Sequence, residues 1–225
     1  MTRAQFALVA VLAYAGIAVG LRAWLQRRWT GASGLVGVRP DAEGRRGAAA
    51  VAASILFGAA FAGMAAAPIL AMASVVRPVA INGGWAVVGG SCLLAAGGAG
   101  VLWAQFTMGP AWRIGVDPGE RTDLVTAGPF RWVRNPIYSS MILFDAGIAL
   151  LVPSVIAIAA VLALVVAIEV QVRLVEEPYL LRWHGDAYRL WLARTGRFVP
   201  RRPGGDTSPS PGMPERSVPR SPVVR

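Results

Sequence analysis

Apolar stretches of membrane-spanning length, separated by short polar segments, constrain the fold of this chain more than any other feature. Residues 4–25, 48–76 and 81–106 are each long enough to cross the ~30 Å hydrocarbon core of a bilayer as a helix. A further apolar stretch over 136–168 is interrupted at 152–154 by Val-Pro-Ser, which predicts two helices joined in a hairpin. The sequence therefore predicts an all-α, polytopic membrane protein with about five spans.

The composition supports a membrane protein rather than a nucleic-acid-binding one. Of the 225 residues, 55% are hydrophobic and only 15% are charged, whereas soluble domains carry about 25% charged residues. The formal net charge is +10, and every basic residue is an arginine. These arginines fall in the segments between apolar stretches, where they orient a membrane protein. We therefore expect a membrane environment and no nucleic-acid partner.

The arginine distribution predicts the orientation of the spans. Six arginines lie in residues 22–47, four in 107–135 and ten in 173–225. The N-terminus and the turns at 77–82 and 152–154 have two between them. Because arginine-rich loops stay on the cytoplasmic side, we expect the N-terminus outside and the C-terminus inside. The arginine-only, Ala- and Gly-rich composition favours a bacterial protein, and so a bacterial plasma membrane.

Three regions are predicted along the chain. Residues 1–106 form three N-terminal spans, and 107–200 form a core made of a polar loop, the helical hairpin and a cytoplasmic amphipathic helix over 170–194. Residues 201–225 are rich in proline, serine and arginine, bury too little apolar surface to fold, and are predicted to be disordered.

Several classes of chemistry are excluded by what the chain lacks. Cys92 is the only cysteine and His184 the only histidine, so no disulfide framework is possible and no metal site is expected. The sequence has no phosphate-binding Walker loop and no Ser-His-Asp arrangement on a nucleophile elbow.

Charged residues at the end of the hairpin form the best candidate for a polar site. Arg173 is spaced by four residues from both Glu169 and Glu177, so that the three share a helix face. They predict either a self-neutralising ladder at the membrane interface or a site for a charged ligand. Glu176 and Glu177 point about 100° apart on a helix, so one arginine cannot easily satisfy both carboxylates. The spare carboxylate would suit a cationic ligand.

Two sequence segments resemble a known family. Residues 124–138, LVTAGPFRWVRNPIY, resemble the signature of the isoprenylcysteine carboxyl methyltransferase family, which is related to the membrane phospholipid N-methyltransferases. The later segment follows the family's order of an Arg, paired Glu, Gly-x-x-Tyr and Arg-x-x-Pro. It does so through Arg173, Glu176, Glu177, Leu180, Gly185, Tyr188, Arg197 and Pro200. Asn135 stands where the family has histidine, and Phe130 where it has tyrosine.

The resemblance implies a pocket for S-adenosylmethionine formed by the hairpin, the preceding loop and the terminal helix. It implies cofactor contacts from Thr122, Leu124, Val125, Phe130, Asn135, Pro136, Ile137, Tyr138 and Glu177. Arg134 would suit the carboxylate of the cofactor. Arg173 would face the methyl acceptor and orient a carboxylate acceptor. An amine acceptor must first lose a proton, and Glu176 is then the candidate base.

The sequence thus predicts an integral membrane methyltransferase that takes S-adenosylmethionine from the cytoplasm and a lipophilic or lipid acceptor from the bilayer. Methylation of a carboxylate oxygen is favoured, and methylation of a phospholipid or other amine is the first alternative. A membrane reductase using NADPH and a non-catalytic membrane scaffold are further alternatives. The sequence leaves the acceptor and the oligomeric state open.

Overall fold

The computed structural model describes residues 1–34, 45–76, 79, 83–113 and 123–201, and this part of the chain is helical, with no β-strand. The helices are α1 (Arg3–Thr30), α2 (Arg45–Met72), α3 (Gly84–Met108), α4 (Pro136–Leu151), α5 (Val155–Val170) and α6 (Glu177–Arg194). Short 3-10 turns lie at Gly109–Ala111 and Gly128–Arg131. The π-helical segments are Ala15–Leu21 within α1 and Gln171–Glu176 between α5 and α6. The all-α prediction is confirmed.

Within these ranges, four helical segments are long and apolar enough to cross a membrane. They are Arg3–Thr30, Gly47–Met72, Gly84–Ala111 and Val155–Arg194. The remaining apolar helix, Pro136–Leu151, has 16 residues and is about 24 Å long, shorter than the ~30 Å hydrocarbon core. Its ends nevertheless lie at opposite ends of the helical bundle.

One end of the bundle gathers the N-terminus, the connection between α2 and α3, and the turn between α4 and α5. The N–H of Val79 donates to the carbonyl of Pro153 over 2.7 Å. A cavity of about 510 Å³ at this end is lined by Thr2, Met72 and Pro153 among others. These are the arginine-poor segments of the sequence, so the separation of chain segments predicted from arginine counts agrees with the structure.

The predicted hairpin is confirmed. Helix α4 ends at Leu151, and α5 begins after Ser154, whose hydroxyl accepts a hydrogen bond from the N–H of Ala157 over 3.2 Å. Such a serine cap satisfies one of the backbone donors left free at the start of a helix. Pro153 lies in the turn, where the absence of its N–H breaks no helical hydrogen bond.

Glycines bring α3 and α4 into backbone contact. A Cβ atom on Gly97 would lie 2.5 Å from the backbone nitrogen of Phe144 and 2.7 Å from the carbonyl of Ser140. On α4, a Cβ on Gly147 would lie 2.8 Å from the carbonyl of Gly90. Small residues at such crossings are typical of membrane helix pairs. The backbones of α3 and α4 therefore approach closely at Gly97 and Gly147.

Helix α1 is longer than the sequence predicts. The polar loop was expected to begin at residue 26, but the helix continues to Thr30. Arg22 and Gln26 are buried, with exposed fractions of 1% and 4%. They donate hydrogen bonds to the carbonyls of Gly109 and Pro110 respectively. These hydrogen bonds allow the polar side chains of Arg22 and Gln26 to be buried within the helix. The prediction that the first span ends at residue 25 was therefore wrong.

The amphipathic helix predicted over 170–194 has no break at its start. The chain passes from α5 through the π-helical segment Gln171–Glu176 directly into α6. Within α6, Gly185 adopts φ +49° and ψ −121°, which interrupts the helix and favours glycine. The predicted disorder of 201–225 falls outside the described residues apart from Arg201, and the three-region division remains a prediction.

Candidate active site

The segment before α4 is shaped by a glycine and a proline. Gly128 adopts φ +53°, and a Cβ atom there would lie 2.8 Å from the hydroxyl of Thr107. Pro136 occupies the first turn of α4, where a missing N–H is tolerated. The chain therefore turns tightly after Gly128 and enters the helix at Pro136, presenting residues 130–135 at one end of the bundle.

The C-terminal segment after α6 pairs with this presented segment. The N–H of Arg134 donates to the carbonyl of Gly196 over 2.8 Å, and the N–H of Asn135 donates to the carbonyl of Arg197 over 3.1 Å. The N–H of Gly196 returns a bond to the carbonyl of Trp132 over 3.2 Å. Asn135 also donates from its side-chain amide to the carbonyl of Arg197. Two distant parts of the chain are thus joined by backbone hydrogen bonds.

Glu177 connects both segments to the start of α6. Its carboxylate accepts two hydrogen bonds from the guanidinium of Arg197, at 2.8 and 2.9 Å, and one from Arg134 at 3.3 Å. The bidentate geometry is the strong form of this interaction. The hydrogen bond from Glu177 raises the pKa of Arg197, so this guanidinium stays charged. We call Arg134, Glu177 and Arg197 the arginine clasp.

Glu176 has different partners from its neighbour. The hydroxyl of Tyr138 donates to its carboxylate over 2.6 Å, and the amide of Gln171 donates over 3.2 Å. Both donors are neutral, and no arginine in the described ranges pairs with this carboxylate. The ring of Tyr138 stacks against Phe57 of α2 at 6.1 Å between centroids. Among the described residues, Glu177 is therefore paired with two arginines, whereas the adjacent Glu176 has no cationic partner.

Arg173 lies apart from the arginine clasp. It forms an ion pair with Glu169, four residues earlier on the same helix. Its side chain is 54% exposed. The expected ladder is therefore only half present, because Glu177 pairs with Arg134 and Arg197 instead. The π-helical segment changes the number of residues per turn between Arg173 and Glu177, which alters the shared face that four-residue spacing predicts.

The structure brings together Arg134, Asn135, Tyr138, Glu176 and Glu177 among the residues that the sequence predicts for the site. Phe130 is buried beside them, and its carbonyl accepts a hydrogen bond from the indole of Trp191 over 3.1 Å. Half-buried Leu124 and Val125 precede the turn, and Ile137 follows Pro136 in the first turn of α4. Thr122 lies outside the described residues. The roles of all these residues remain predictions.

Sequence reasoning gave no role to several residues that build the site. Arg197 pairs with a carboxylate 20 residues away, and Gln171 supports Glu176. The hydroxyl of Ser139 donates to the carbonyl of Phe198 over 2.6 Å. The sequence offered one signal for Arg197, which is its place in the Arg-x-x-Pro pattern just beyond the amphipathic helix. No local pattern in the sequence indicates which carboxylate it selects.

Part of the candidate site lies in a region that matches a known protein family. Residues 85–187 match the model of a family described as phospholipid methyltransferase. The matched range covers α3, α4, α5 and most of α6, and it ends before Arg197. No curated protein matches the chain. The chain is therefore similar over this range to a family of phospholipid methyltransferases, and the more specific resemblance to isoprenylcysteine carboxyl methyltransferases stays a prediction.

Proposed function

We propose that the protein is an integral membrane methyltransferase that uses S-adenosylmethionine and a lipophilic acceptor. The family match over residues 85–187 carries this proposal, since it spans both the segment before α4 and the paired glutamates. Apolar helices give the acceptor access from the bilayer, and the polar site lies at one end of them. Acceptor and cofactor would therefore meet where hydrocarbon gives way to water.

The charges of the site fit the proposed cofactor. S-adenosylmethionine supplies an activated methyl group on a positively charged sulfur, and it also carries an ammonium and a carboxylate. Glu176 accepts hydrogen bonds from the neutral donors Tyr138 and Gln171, so a cationic group of the cofactor would supply the counter-charge that its carboxylate lacks. Arg134, at the edge of the arginine clasp, is the nearest candidate for the cofactor carboxylate. Leu124, Val125 and Phe130 supply apolar surface beside these charges.

The protein's contribution to methyl transfer is alignment. In such a displacement the acceptor forms its bond to the methyl carbon as the carbon–sulfur bond breaks, and the electron pair stays on sulfur. Holding two reactants in line supplies a large part of the barrier reduction. Backbone pairing of residues 132–135 with Gly196 and Arg197 fixes the segment that begins α4, so that Tyr138 is held against Glu176.

A carboxylate acceptor is the first candidate, because it is already ionised and needs no base. Arg173 would orient it, after exchanging its partner Glu169 for the acceptor. An amine acceptor is the second candidate, and one observation favours it. Glu176 lacks a cationic partner in the described ranges, so it can attract an ammonium and accept its proton.

A radiolabelled methyl-transfer assay tests the proposal. Purified protein in vesicles is given labelled S-adenosylmethionine with either phosphatidylethanolamine or a long-chain isoprenoid acid. Label released as methanol by mild base identifies a methyl ester, and base-stable label identifies an N-methyl group. Asp186→Asn is the matched control, because the ion pair of Asp186 with Arg189 is exposed.

The outcome that would refute the proposal is the absence of cofactor binding by calorimetry together with no label in either lipid. A parallel titration with NADPH addresses the reductase alternative, and saturable NADPH binding would favour it. A scaffold would be favoured if the wild-type protein bound neither ligand and Arg173→Ala lowered its stability without changing any activity.

A further inference from the structure

A second feature of the structure lies away from the candidate active site, on the side of the bundle. A groove of about 300 Å³ runs lengthwise between α1 and α3. Its lining extends from Phe6 to Ala18 on α1, about 18 Å at 1.5 Å per residue, and from Ser91 to Leu102 on α3. Phe144 of α4 also lines it. Both long walls are helices able to span a membrane.

The groove is almost entirely apolar. Alanine, leucine, isoleucine and phenylalanine side chains supply most of its surface, and Ser91 and Gly98 complete the α3 wall. Tyr14 contributes its ring, which stacks on Phe144 with 4.2 Å between centroids. No charged side chain lines it. Such a surface between two spans offers nothing to a polar ligand and favours a hydrocarbon chain.

The far end of the groove leads to positive charge. One helical turn beyond Ala18, Arg22 is 1% exposed, and its guanidinium lies 4.6 Å from the centre of the Trp112 ring and 5.2 Å from that of Trp29. Its Nε has no hydrogen-bond partner. Arg28, exposed at the end of the same helix, lies over Trp24. Arginine with tryptophan at a helix end is typical of the headgroup level of a membrane.

We propose that this groove binds one acyl chain of an anionic phospholipid, with the headgroup at the Arg22 end. The groove's length of about 18 Å is close to the roughly 15 Å depth of one leaflet's hydrocarbon. Spread over that length, the volume of about 300 Å³ gives a cross-section of roughly 17 Å². A helix about 10 Å across has a cross-section of roughly 80 Å², so the groove can enclose an extended hydrocarbon chain but not a helix.

The arginines at the end of α1 favour a negatively charged headgroup. The end of α1 exposes Arg27 and Arg28 one to two turns beyond buried Arg22, and α1 has no acidic residue. Basic residues beside a span attract anionic lipids. The proposed site is independent of methyl transfer, because neither Glu176 nor the arginine clasp takes part in it.

A photo-crosslinking experiment tests the proposal. Full-length protein is placed in vesicles that contain phosphatidylglycerol with a diazirine on one acyl chain, and the labelled peptides are identified by mass spectrometry. Gly98→Leu fills the groove, and a Cβ atom at Gly98 meets nothing within 4 Å, so the new side chain enters without a backbone clash. Gly58→Leu is the matched control, because Gly58 of α2 is equally open and lies outside the groove.

We expect labelling concentrated on residues 6–18 and 91–102 in the wild-type protein and in Gly58→Leu. Gly98→Leu should reduce it about tenfold, because the filled groove no longer competes with bulk lipid for the chain. Equal labelling of the lipid-facing residues of α2 and α5 would overturn the proposal and show surrounding lipid only. Equal labelling by phosphatidylcholine carrying the same chain would overturn the assigned headgroup. Neither result depends on methyl transfer, so this proposal and the proposed function fail separately.

Discussion

Adjacent glutamates have opposite electrostatic environments in this protein. Glu177 contacts two guanidinium groups, and Glu176 contacts a phenol and an amide. The difference follows from direction, since consecutive residues on a helix point about 100° apart. Glu177 is therefore suited to holding chain segments together, and Glu176 is suited to binding a cation. This division of roles yields two predictions at the level of single residues.

The first prediction concerns the arginine clasp. Glu177→Gln should destabilise the protein by about 2–4 kcal/mol, because it leaves two partly buried arginines without a counter-charge. The unfolding midpoint in detergent measures this, with Asp186→Asn as the control for loss of an exposed ion pair, which should cost almost nothing. The charge-reversed pair Glu177→Arg with Arg197→Glu should recover part of the loss. A midpoint equal to wild type in Glu177→Gln would contradict the assigned contacts.

The second prediction separates charge from hydrogen bonding at Glu176. Glu176→Gln keeps an oxygen that can accept from Tyr138 but removes the negative charge. Under the proposed function, transfer to phosphatidylethanolamine should fall by about 100-fold or more, because base catalysis contributes on that order. Transfer to an isoprenoid acid should not fall comparably. Equal loss with both acceptors would refute a base role, and an unchanged rate with both would remove Glu176 from the site.

At the level of helices, the contact between α3 and α4 positions the candidate active site. Helix α4 begins at Pro136 directly after the motif, so its depth along α3 sets where Tyr138 lies. Gly97 and Gly147 allow the two backbones to touch. Trp103 of α3 also lies 6.1 Å from the ring of Trp132. A change in this contact should therefore affect both stability and the site.

The third prediction tests this helix pair. Gly97→Val should cost about 3 kcal/mol, because its side chain would overlap the backbone of Phe144 and force α4 away. Gly98→Val, one residue along, meets open space and should cost less than about 1 kcal/mol. Unfolding midpoints of the two variants, compared under the same detergent, measure the difference. Similar values for both would show that α3 and α4 do not pack as described.

For the whole molecule, the number of membrane crossings depends on α4. This helix is shorter than the hydrocarbon core, yet it connects the end of the bundle that carries the motif to the end that carries Pro153. A short span is accommodated by local thinning of the bilayer. Five crossings place the two ends of the chain on opposite sides of the membrane.

The fourth prediction checks these crossings and the orientation. Single cysteines replace Val75 and Val199, which are 69% and 71% exposed, in a Cys92→Ser background. In intact cells an impermeant maleimide should label the cysteine at 75 and should label the one at 199 only after permeabilisation, because arginine-rich segments stay inside. Labelling of both sites in intact cells would require an even number of crossings between residues 75 and 199. Labelling of the cysteine at 199 alone in intact cells would show that the orientation is inverted.

Local patterns in the sequence determined much of this protein. Hydrophobic length predicted the spans, Val152-Pro153-Ser154 predicted the hairpin, and the arginine distribution separated the two ends of the bundle. These features depend on composition over a few turns of helix, and most of the spans must reach the length that the bilayer requires. The paired motifs also indicated which residues to examine for a site.

Tertiary structure alone decided which charges meet. Glu177 pairs with residues 43 and 20 positions away, and residues 132–135 pair through their backbone with Gly196 and Arg197. Arg22 and Gln26 extend α1 by donating to carbonyls 87 and 84 residues later, respectively. The physical reason is that local spacing fixes a side chain's direction only along a regular helix, and here a π-helical segment and a long-range backbone pairing change that direction. Partners so far apart in the chain are selected by packing, which leaves no trace in local sequence periodicity.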